Sequence, residues 1–240
     1  FATSAVSSVG GAIGSAVTRF QVGDAVFAST FEANFGGYAE YKCMKEDGLL
    51  AIKPANLTFA EAAVAVGGGI SALRCLQRGR LQPGQKILIY GASGSIGTNA
   101  VQLARNHFGA AVTGVCSTAN LDLVSALGAA EVIDYTREDF TQRGAFYDVV
   151  FDAVAKFPPE RAKQAIKPGG IYLNAHRDTD AGASLTMKQE LLLLKELLEA
   201  GKLKPVIDRS YPLAQIVEAH RYVETGHKRG NVVITVTPAP

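Results

Sequence analysis

The chain reads as α/β: a doubly wound parallel sheet flanked by stretches richer in isolated strands. Three observations predict this. From Lys86 onward, short apolar runs alternate with helical ones. The first run, Ile87-Leu88-Ile89-Tyr90, is continuously apolar, as in a strand buried on both faces. Glycines at 91, 94 and 97 follow that strand directly and open a helix.

Residues 1–53 read as β-rich. Val22-Gly23-Asp24-Ala25-Val26-Phe27 is a Gly-Asp turn running into a short strand, and Gly36-Gly37-Tyr38-Ala39-Glu40-Tyr41 begins another. Pro54 closes this part. Phe59 to Leu76 reads as a helix broken at Gly67-Gly68-Gly69, with Thr58 as N-cap and Glu61 completing a capping box. After the strand at 87–90, a helix is expected over Ile96–Phe108, a strand over Ala111–Cys116, a helix over Asn120–Leu127 and a strand over Glu131–Tyr135. Tyr147–Val154 makes a fourth strand, Pro159–Lys167 a helix and Gly170–Asn174 a fifth strand. Beyond residue 178 come an apolar helix over Thr186–Ala200, a strand over Val206–Tyr211, a helix over Leu213–Thr225 and a β-branched strand over Asn231–Thr237. This order divides the chain at 1–54, 55–178 and 179–240, the last segment returning to complete the first domain.

Bulk properties narrow the function. The 240 residues are 48% hydrophobic and 19% charged, with a net charge of +2 and scattered Lys and Arg, so no nucleic-acid partner is expected. The longest apolar stretch, Phe59–Leu73, contains Glu61 and three glycines and is too short for a membrane span. Cys43, Cys75 and Cys116 are too few and too far apart for a disulfide framework or a structural zinc site. They suit a reducing compartment, either the cytoplasm or the interior of a chloroplast or mitochondrion. The histidines form no HExxH pattern, and no metal site is expected.

Lys86-Ile-Leu-Ile-Tyr-Gly-Ala-Ser-Gly-Ser-Ile-Gly97 has the strand–turn–helix context of a Rossmann dinucleotide site. Missing side chains let the backbone approach a pyrophosphate, whose charge meets the free N–H groups of the helix N-terminus. The other reading is a doubly wound domain with an empty turn, in which Gly91 or Gly94 simply permits a tight bend. An Asp or Glu about 20 residues past the glycines would accept the ribose 2′-OH of NAD. That place reads Cys116-Ser117-Thr118-Ala119-Asn120 and holds no carboxylate before Asp122, which suits the first turn of a helix. The acid-free end favours NADP over NAD. Ser117 is either a partner for a 2′-phosphate or the N-cap of that helix.

Several motifs occur in order along the chain: Val22-Gly-Asp-Ala-Val-Phe27, Gly36-Gly-Tyr-Ala-Glu-Tyr41, Gly91-Ala-Ser-Gly-Ser-Ile-Gly97, Leu127-Gly-Ala129 with Val132-Ile-Asp-Tyr135, Gly201-Lys-Leu-Lys-Pro-Val-Ile-Asp208, and His220-Arg-Tyr-Val-Glu-Thr-Gly-His-Lys-Arg-Gly230. As a set they resemble the zinc-free, quinone oxidoreductase-like branch of the medium-chain dehydrogenase/reductases, from about residue 15 to 237. The resemblance implies a GroES-like catalytic domain, here partial, followed by a Rossmann domain, with NADPH held in the cleft between them. Members pass hydride to quinones or to the double bond of enones and alkenals. Carried over by motif, Ser93, Gly94, Ser95, Ile96 and Gly97 hold the pyrophosphate, and Ser117 and Tyr135 flank the adenosine 2′-phosphate. Ser71, after Gly68-Gly69-Ile70, takes the place of a Thr near the nicotinamide. The other reading of Tyr135 is an aromatic packed at a strand end.

The sequence departs from this family in four respects. Relatives carry a longer N-terminal part, and residues 1–14 match it only loosely. Ala119 stands where many have Lys or Arg to contact the 2′-phosphate, which removes a charge-assisted contact. The stretch Ala175–Thr186 is short, omitting a sixth strand often used for dimerisation. Ser95 occupies a position usually held by Gly, tightening the backbone approach to the phosphates. Such chemistry asks for positioning and exclusion of water more than acid–base work. Tyr38 is a weak candidate donor to a developing enolate, set against a packing role beside Tyr41. Two functions follow: an NADPH-dependent quinone or enone oxidoreductase, or a catalytically inactive subunit or scaffold of a larger assembly. Uncovered strand edges in a partial barrel predict a homo-oligomer or a partner subunit.

Overall fold

The computed structural model describes residues 5–179 and 185–236. Three antiparallel strands come first: β1 (Ala5–Val9), β2 (Ala25–Ser29) in the centre and β3 (Leu50–Ile52). The Gly-Asp turn does lead into β2, whose Phe27 and Ala28 are fully buried. The expected strand over 36–41 is not formed. Asn34, Phe35 and Gly36 all take positive φ (58°, 54° and 75°), which ends any extended run. The Lys42 ammonium then ties the loop by donating to the carbonyls of Ala33 and Phe35, both at 2.6 Å.

Helix α1 (Phe59–Arg78) starts on the expected capping box: Glu61 N–H donates to Thr58 Oγ1 at 3.2 Å and Thr58 N–H to Glu61 Oε2 at 2.8 Å. It is not broken at the glycines. Each costs about 1 kcal/mol relative to Ala in a helix, and Gly68 has a packing reason. A Cβ there would lie 2.6 Å from Ser95 Oγ and 2.8 Å from Ser95 O, so only a bare Cα allows that approach. The unbroken helix has 20 residues and is long and apolar enough to cross a membrane by length and composition, which corrects the estimate from the shorter apolar run. Its most apolar window is 61% buried inside the protein, and core helices pass the same test.

After α1 come β4 (Lys86–Tyr90), α2 (Ser95–Asn106), β5 (Ala111–Cys116), α3 (Leu121–Ala126), β6 (Glu131–Asp134), β7 (Tyr147–Asp152), α4 (Pro159–Lys163) and β8 (Ile166–Asn174). The five strands form one parallel sheet in the order β6-β5-β4-β7-β8. In register, Leu88 lies between Thr113 of β5 and Val150 of β7. Ile87, Leu88 and Ile89 are fully buried, as the continuous apolar run predicts. One cluster packs Leu88, Val115, Ile133, Phe140, Tyr147 and Val150 against Ala162 and Ala165. Chain direction across the sheet reverses between β4 and β7. The carboxyl ends of strands at such a reversal border the crevice where open α/β sheets bind ligands.

A short helix, α5 (Ala175–Asp178), follows β8. The noted short connection, Ala175–Thr186, falls partly on 180–184, outside the described residues. Helix α6 (Met187–Glu199) begins on a Thr186–Gln189 capping box, and its Lys188 donates to the carbonyls of Gly48 and Leu50. β9 (Ile207–Pro212), α7 (Ile216–Glu224) and β10 (Asn231–Thr235) end the described chain. β9 and β10 pair in parallel with each other as a separate two-stranded sheet. The chain resolves into two compact units. One comprises Phe1–Gly67, Leu185–Gly201 and Pro205–Pro240; the other comprises Gly68–Ser184 with Lys202–Lys204.

The turn after β4 is held from several sides within the second unit. Gly91 and Ala92 N–H both donate to Val115 O at 3.0 Å. Gly91 has φ +77°, and a Cβ there would sit 2.2 Å from Val154 Cγ2. A Cβ on Gly97 would sit 2.1 Å from Gly91 O and 2.7 Å from Ala92 Cα. Val154 is placed by Asp152, a fully buried carboxylate at the end of β7. Asp152 accepts from the N–H groups of Val154, Ala155 and Phe157 at 3.0, 2.9 and 2.8 Å, and from Tyr172 Oη at 3.2 Å.

Two stability predictions result. Gly97→Ala lowers unfolding free energy by about 3 kcal/mol or more, because the clash is with backbone that cannot step aside; a loss below about 1 kcal/mol in urea denaturation contradicts the packing described. Asp152→Ala costs about 3 kcal/mol by stranding three N–H donors. Measured as thermal unfolding, a melting temperature unchanged from the parent rules out that role.

Candidate functional site

The turn at 91–97 presents an open place as well as closed ones. Unlike Gly97, Gly94 has ordinary dihedrals (φ −82°, ψ −179°), and a Cβ on it would meet nothing nearer than Gly91 O at 3.5 Å. The protein's own packing therefore does not require a glycine at 94. Gly94 is the N-cap of α2, has no side chain to cap it, and the first turn of α2 carries no acidic residue. Ser93, Gly94, Ser95 and Ile96 are half-buried while Gly97 is buried. This is a cradle that a Cβ would fill, at the positive end of a 12-residue helix. Ser95 contributes its carbonyl, which accepts from Asn99 Nδ2 at 2.8 Å, and takes its place against Gly68. Ser71 is half-buried on α1, one helical turn beyond Gly68 and on the same face.

At the end of β5 the side chains turn to each other. Ser117 stands at the N-cap position of the 3-10 turn Thr118–Asn120, and Asn120 at that of α3, yet neither side chain caps. Both residue types are strong caps, worth about 1 kcal/mol there. Instead, Asn120 Nδ2 donates to Ser117 Oγ at 3.1 Å and to Ser93 Oγ at 3.2 Å, joining the strand end to the glycine turn. Asn120 is buried (9% exposed), and its Oδ1 has no hydrogen-bond partner. Sequence reading passed over Asn120 as a helix start. The available signal was an Asn three residues after Ser117, a spacing that equally suits capping.

A carboxylate does lie near this end, although in sequence it belongs to the next strand. Asp134, 9% exposed, receives hydrogen bonds from the hydroxyls of Thr118 and Thr136 and from Thr136 N–H at 2.9 Å. Arg137 stands 3.8 Å from it. The hydroxyl bonds of Thr118, then Thr136, hold its carboxyl below the usual range despite burial. Asp134 is thus ionised at neutral pH, with both oxygens engaged inside the protein. Burial, seconded by Asp134, pushes the Cys116 thiol up to about 11, so it is a packed side chain rather than a nucleophile. Tyr135, 51% exposed, packs its ring 6.3 Å from that of Tyr90, which also touches Phe157 at 4.8 Å.

Every candidate cofactor residue lies in the second compact unit; Tyr38 lies in the first. Its half-buried ring meets His220 edge-on at 6.1 Å, and burial raises the phenol's pKa. Tyr41 is 84% exposed, so the pairing of these two tyrosines across strands is not formed. A cavity of about 730 Å³ in the second unit is lined by Gln77, Arg78, Arg80, Arg177, Asp178 and β8, and includes none of the candidate residues. Among the described residues, no group of three or more His, Cys, Asp or Glu is placed to hold a metal ion.

Known proteins similar to this chain are reductases and oxidoreductases. A family model described as "Zinc-binding dehydrogenase" matches residues 127–234. The chain is 37% identical over 239 residues to 2-methylene-furan-3-one reductase of Solanum lycopersicum and 36% identical to the chloroplastic NADPH-dependent alkenal/one oxidoreductase of Arabidopsis thaliana. Each match takes in 94% of this chain, and the chain spans 61% of the length of these two relatives. It is 31% identical to the chloroplastic quinone-oxidoreductase QR1 of Triphysaria versicolor, across 92% of this chain and 75% of that protein. The solved quinone oxidoreductase of Coxiella burnetii superposes with a TM-score of 0.83 at 28% identity, covering 96% of this chain and 78% of the other. The α/β unit is accordingly a nucleotide-binding Rossmann fold, and the solved neighbours pair such a unit with a GroES-like one. The chain belongs to the quinone oxidoreductase-like branch of the medium-chain dehydrogenase/reductase superfamily.

Proposed function

We propose that this chain binds NADPH at the 91–97 turn and takes part in hydride transfer to a quinone or an α,β-unsaturated carbonyl, without zinc. The observation that carries the reading is the contrast between Gly97, closed by protein backbone, and Gly94, open at the uncapped start of α2. A pyrophosphate needs that combination: a bare Cα, free N–H groups and a helix dipole of the right sign. The nicotinamide, when bound, supplies the hydride. The chain supplies position. Ser93, Ser95, Ile96 and Gly97 hold the diphosphate, Ser71 lies toward the nicotinamide, and Ser117 and Tyr135 flank the adenosine phosphate.

Preference for NADPH over NADH is supported by two features of the β5 end. It carries no carboxylate of its own, and the nearby Asp134 has both oxygens committed to Thr118 and Thr136. The carboxylate that would accept a ribose 2′-OH is missing from this strand end, while Ser117 offers a hydroxyl to a phosphate. Zinc-free chemistry is supported by the lack of a ligand group among the described residues. Quinones and enones are the acceptors in the names of related proteins. A reducing organellar or cytoplasmic interior suits three cysteines that form no disulfide and relatives named chloroplastic.

The direct test is NADPH oxidation by the purified protein with a quinone and with an enone. Turnover with either, at least about tenfold faster with NADPH than with NADH at equal low concentration, is expected. Absence of turnover with poor or absent NADPH binding points instead to the inactive-subunit reading and overturns this proposal. Gly94→Ala separates fold from site. Its melting temperature stays within about 2 °C of the parent, while NADPH affinity drops at least about tenfold because the new methyl occupies the phosphate's place. Unchanged affinity would remove Gly94 from the cradle.

A further inference from the structure

We propose that Asn120 is the positioning residue that sets this site's preference for NADPH, by fixing the direction in which the Ser93 and Ser117 hydroxyls donate. The inference rests on the NADPH reading above and adds the residue that enforces it.

A hydroxyl has one proton to give and two lone pairs to receive with. Asn120 Nδ2 occupies a lone pair on each serine at once, 3.2 Å from Ser93 Oγ and 3.1 Å from Ser117 Oγ. Each serine is thereby an acceptor toward the protein interior, and its proton is left to point outward. Ser93 lies in the glycine turn and Ser117 at the end of β5, so the two outward protons address the pyrophosphate and the adenosine 2′-phosphate respectively. One buried amide presets both donors before any ligand arrives.

The local geometry argues that this is the amide's task. Asn120 and Ser117 stand in capping positions and cap nothing. Asn120 Oδ1 is buried without a partner, so the carbonyl side of the amide does nothing for stability. The residue forgoes a cap and leaves an acceptor unpaired, and what remains is the pair of N–H donations. NADPH gains from both serines, through its pyrophosphate and its 2′-phosphate, whereas NADH offers Ser117 only a neutral hydroxyl, a weaker acceptor than the charged phosphate.

Asn120→Asp and Asn120→Ala distinguish this from a merely structural role, because the two accounts rank them in opposite orders. The Asp variant keeps the shape and can still bond both serines, but only by accepting their protons, and it adds negative charge beside the phosphates. The Ala variant removes the bonds and frees the hydroxyls to turn. If Asn120 orients donors, the dissociation constant for NADPH, read by fluorescence titration, worsens by about tenfold in Ala and about a hundredfold in Asp. The NADPH:NADH affinity ratio collapses most in Asp. If Asn120 only fills and ties the region, Ala is the worse variant, the ratio stays constant, and the proposal is overturned. Should Asn120→Asp fail to fold, Ser117→Ala serves instead: adding Asn120→Ala in that background should leave the affinity ratio within about twofold of Ser117→Ala alone. Full additivity overturns the proposal. A parent protein that binds both cofactors equally or neither defeats the underlying NADPH reading. A parent that prefers NADPH with an Asp variant that keeps the preference defeats the role of Asn120 alone.

Discussion

The approach of Gly97 to the carbonyl of Gly91 fixes the rest of the site. With no room for a Cβ between them, the first turn of α2 lies directly on the chain leaving β4. Gly91 and Ala92 are pinned to Val115 O, so the same contact also sets the turn against β5. Val154 closes the other side through the hydrogen bonds of Asp152, bringing in the end of β7. Three neighbouring strand ends are thus referred to one backbone contact. The start of α2 is left facing outward with Gly94 uncovered. Three glycines in one motif therefore have separate jobs: Gly91 takes positive φ beside Val154, Gly97 permits close packing, and Gly94 leaves space.

The strand end beside this turn shows how local stability is set aside for orientation. Ser117 and Asn120 would each stabilise a helix start by capping, and neither does. Asp134, a carboxylate in the neighbourhood where NAD enzymes use one, is closed off by two threonine hydroxyls. On the proposed orientation of Ser93 and Ser117, donors point outward while the Asp134 oxygens are engaged inside. An environment of that polarity suits an anionic group and disfavours a sugar hydroxyl seeking an acceptor.

What could be read from sequence follows from how each signal arises. The strand at 86–90 was legible because burial on both faces leaves a continuous apolar run, whereas β8, half-buried or exposed along most of its length, carries none before Ile171. The capping box at Thr58 was a helix start written in four residues. The glycine run in α1 was misread because a missing side chain looks the same whether it breaks a helix or admits a neighbour. Only Ser95, distant in sequence, tells the two apart at Gly68. Gly36–Tyr41 alternates like a strand, but the positive φ of Asn34 and Phe35 and the reach of Lys42 are tertiary choices that alternation does not record. Asn120 was overlooked for a related reason. Its partners are 3 and 27 residues away, and only the nearer one is visible as a pattern.

The distribution of these residues across the chain carries a last consequence. Every candidate cofactor group belongs to the unit built on the five-stranded sheet, with its own buried core, while the polar aromatic Tyr38 belongs to the other unit. On the proposed reading, nucleotide selection is decided by hydrogen-bond direction among a few side chains at the ends of β4, β5 and β6. Acceptor selection has no such local source within that sheet. A quinone and an enone ask for similar things, a flat slot and exclusion of water, which backbone and apolar side chains provide without a diagnostic motif. The proposed cofactor site therefore rests on named atoms of this chain, whereas the proposed acceptors rest on the names of relatives whose full length exceeds this chain's.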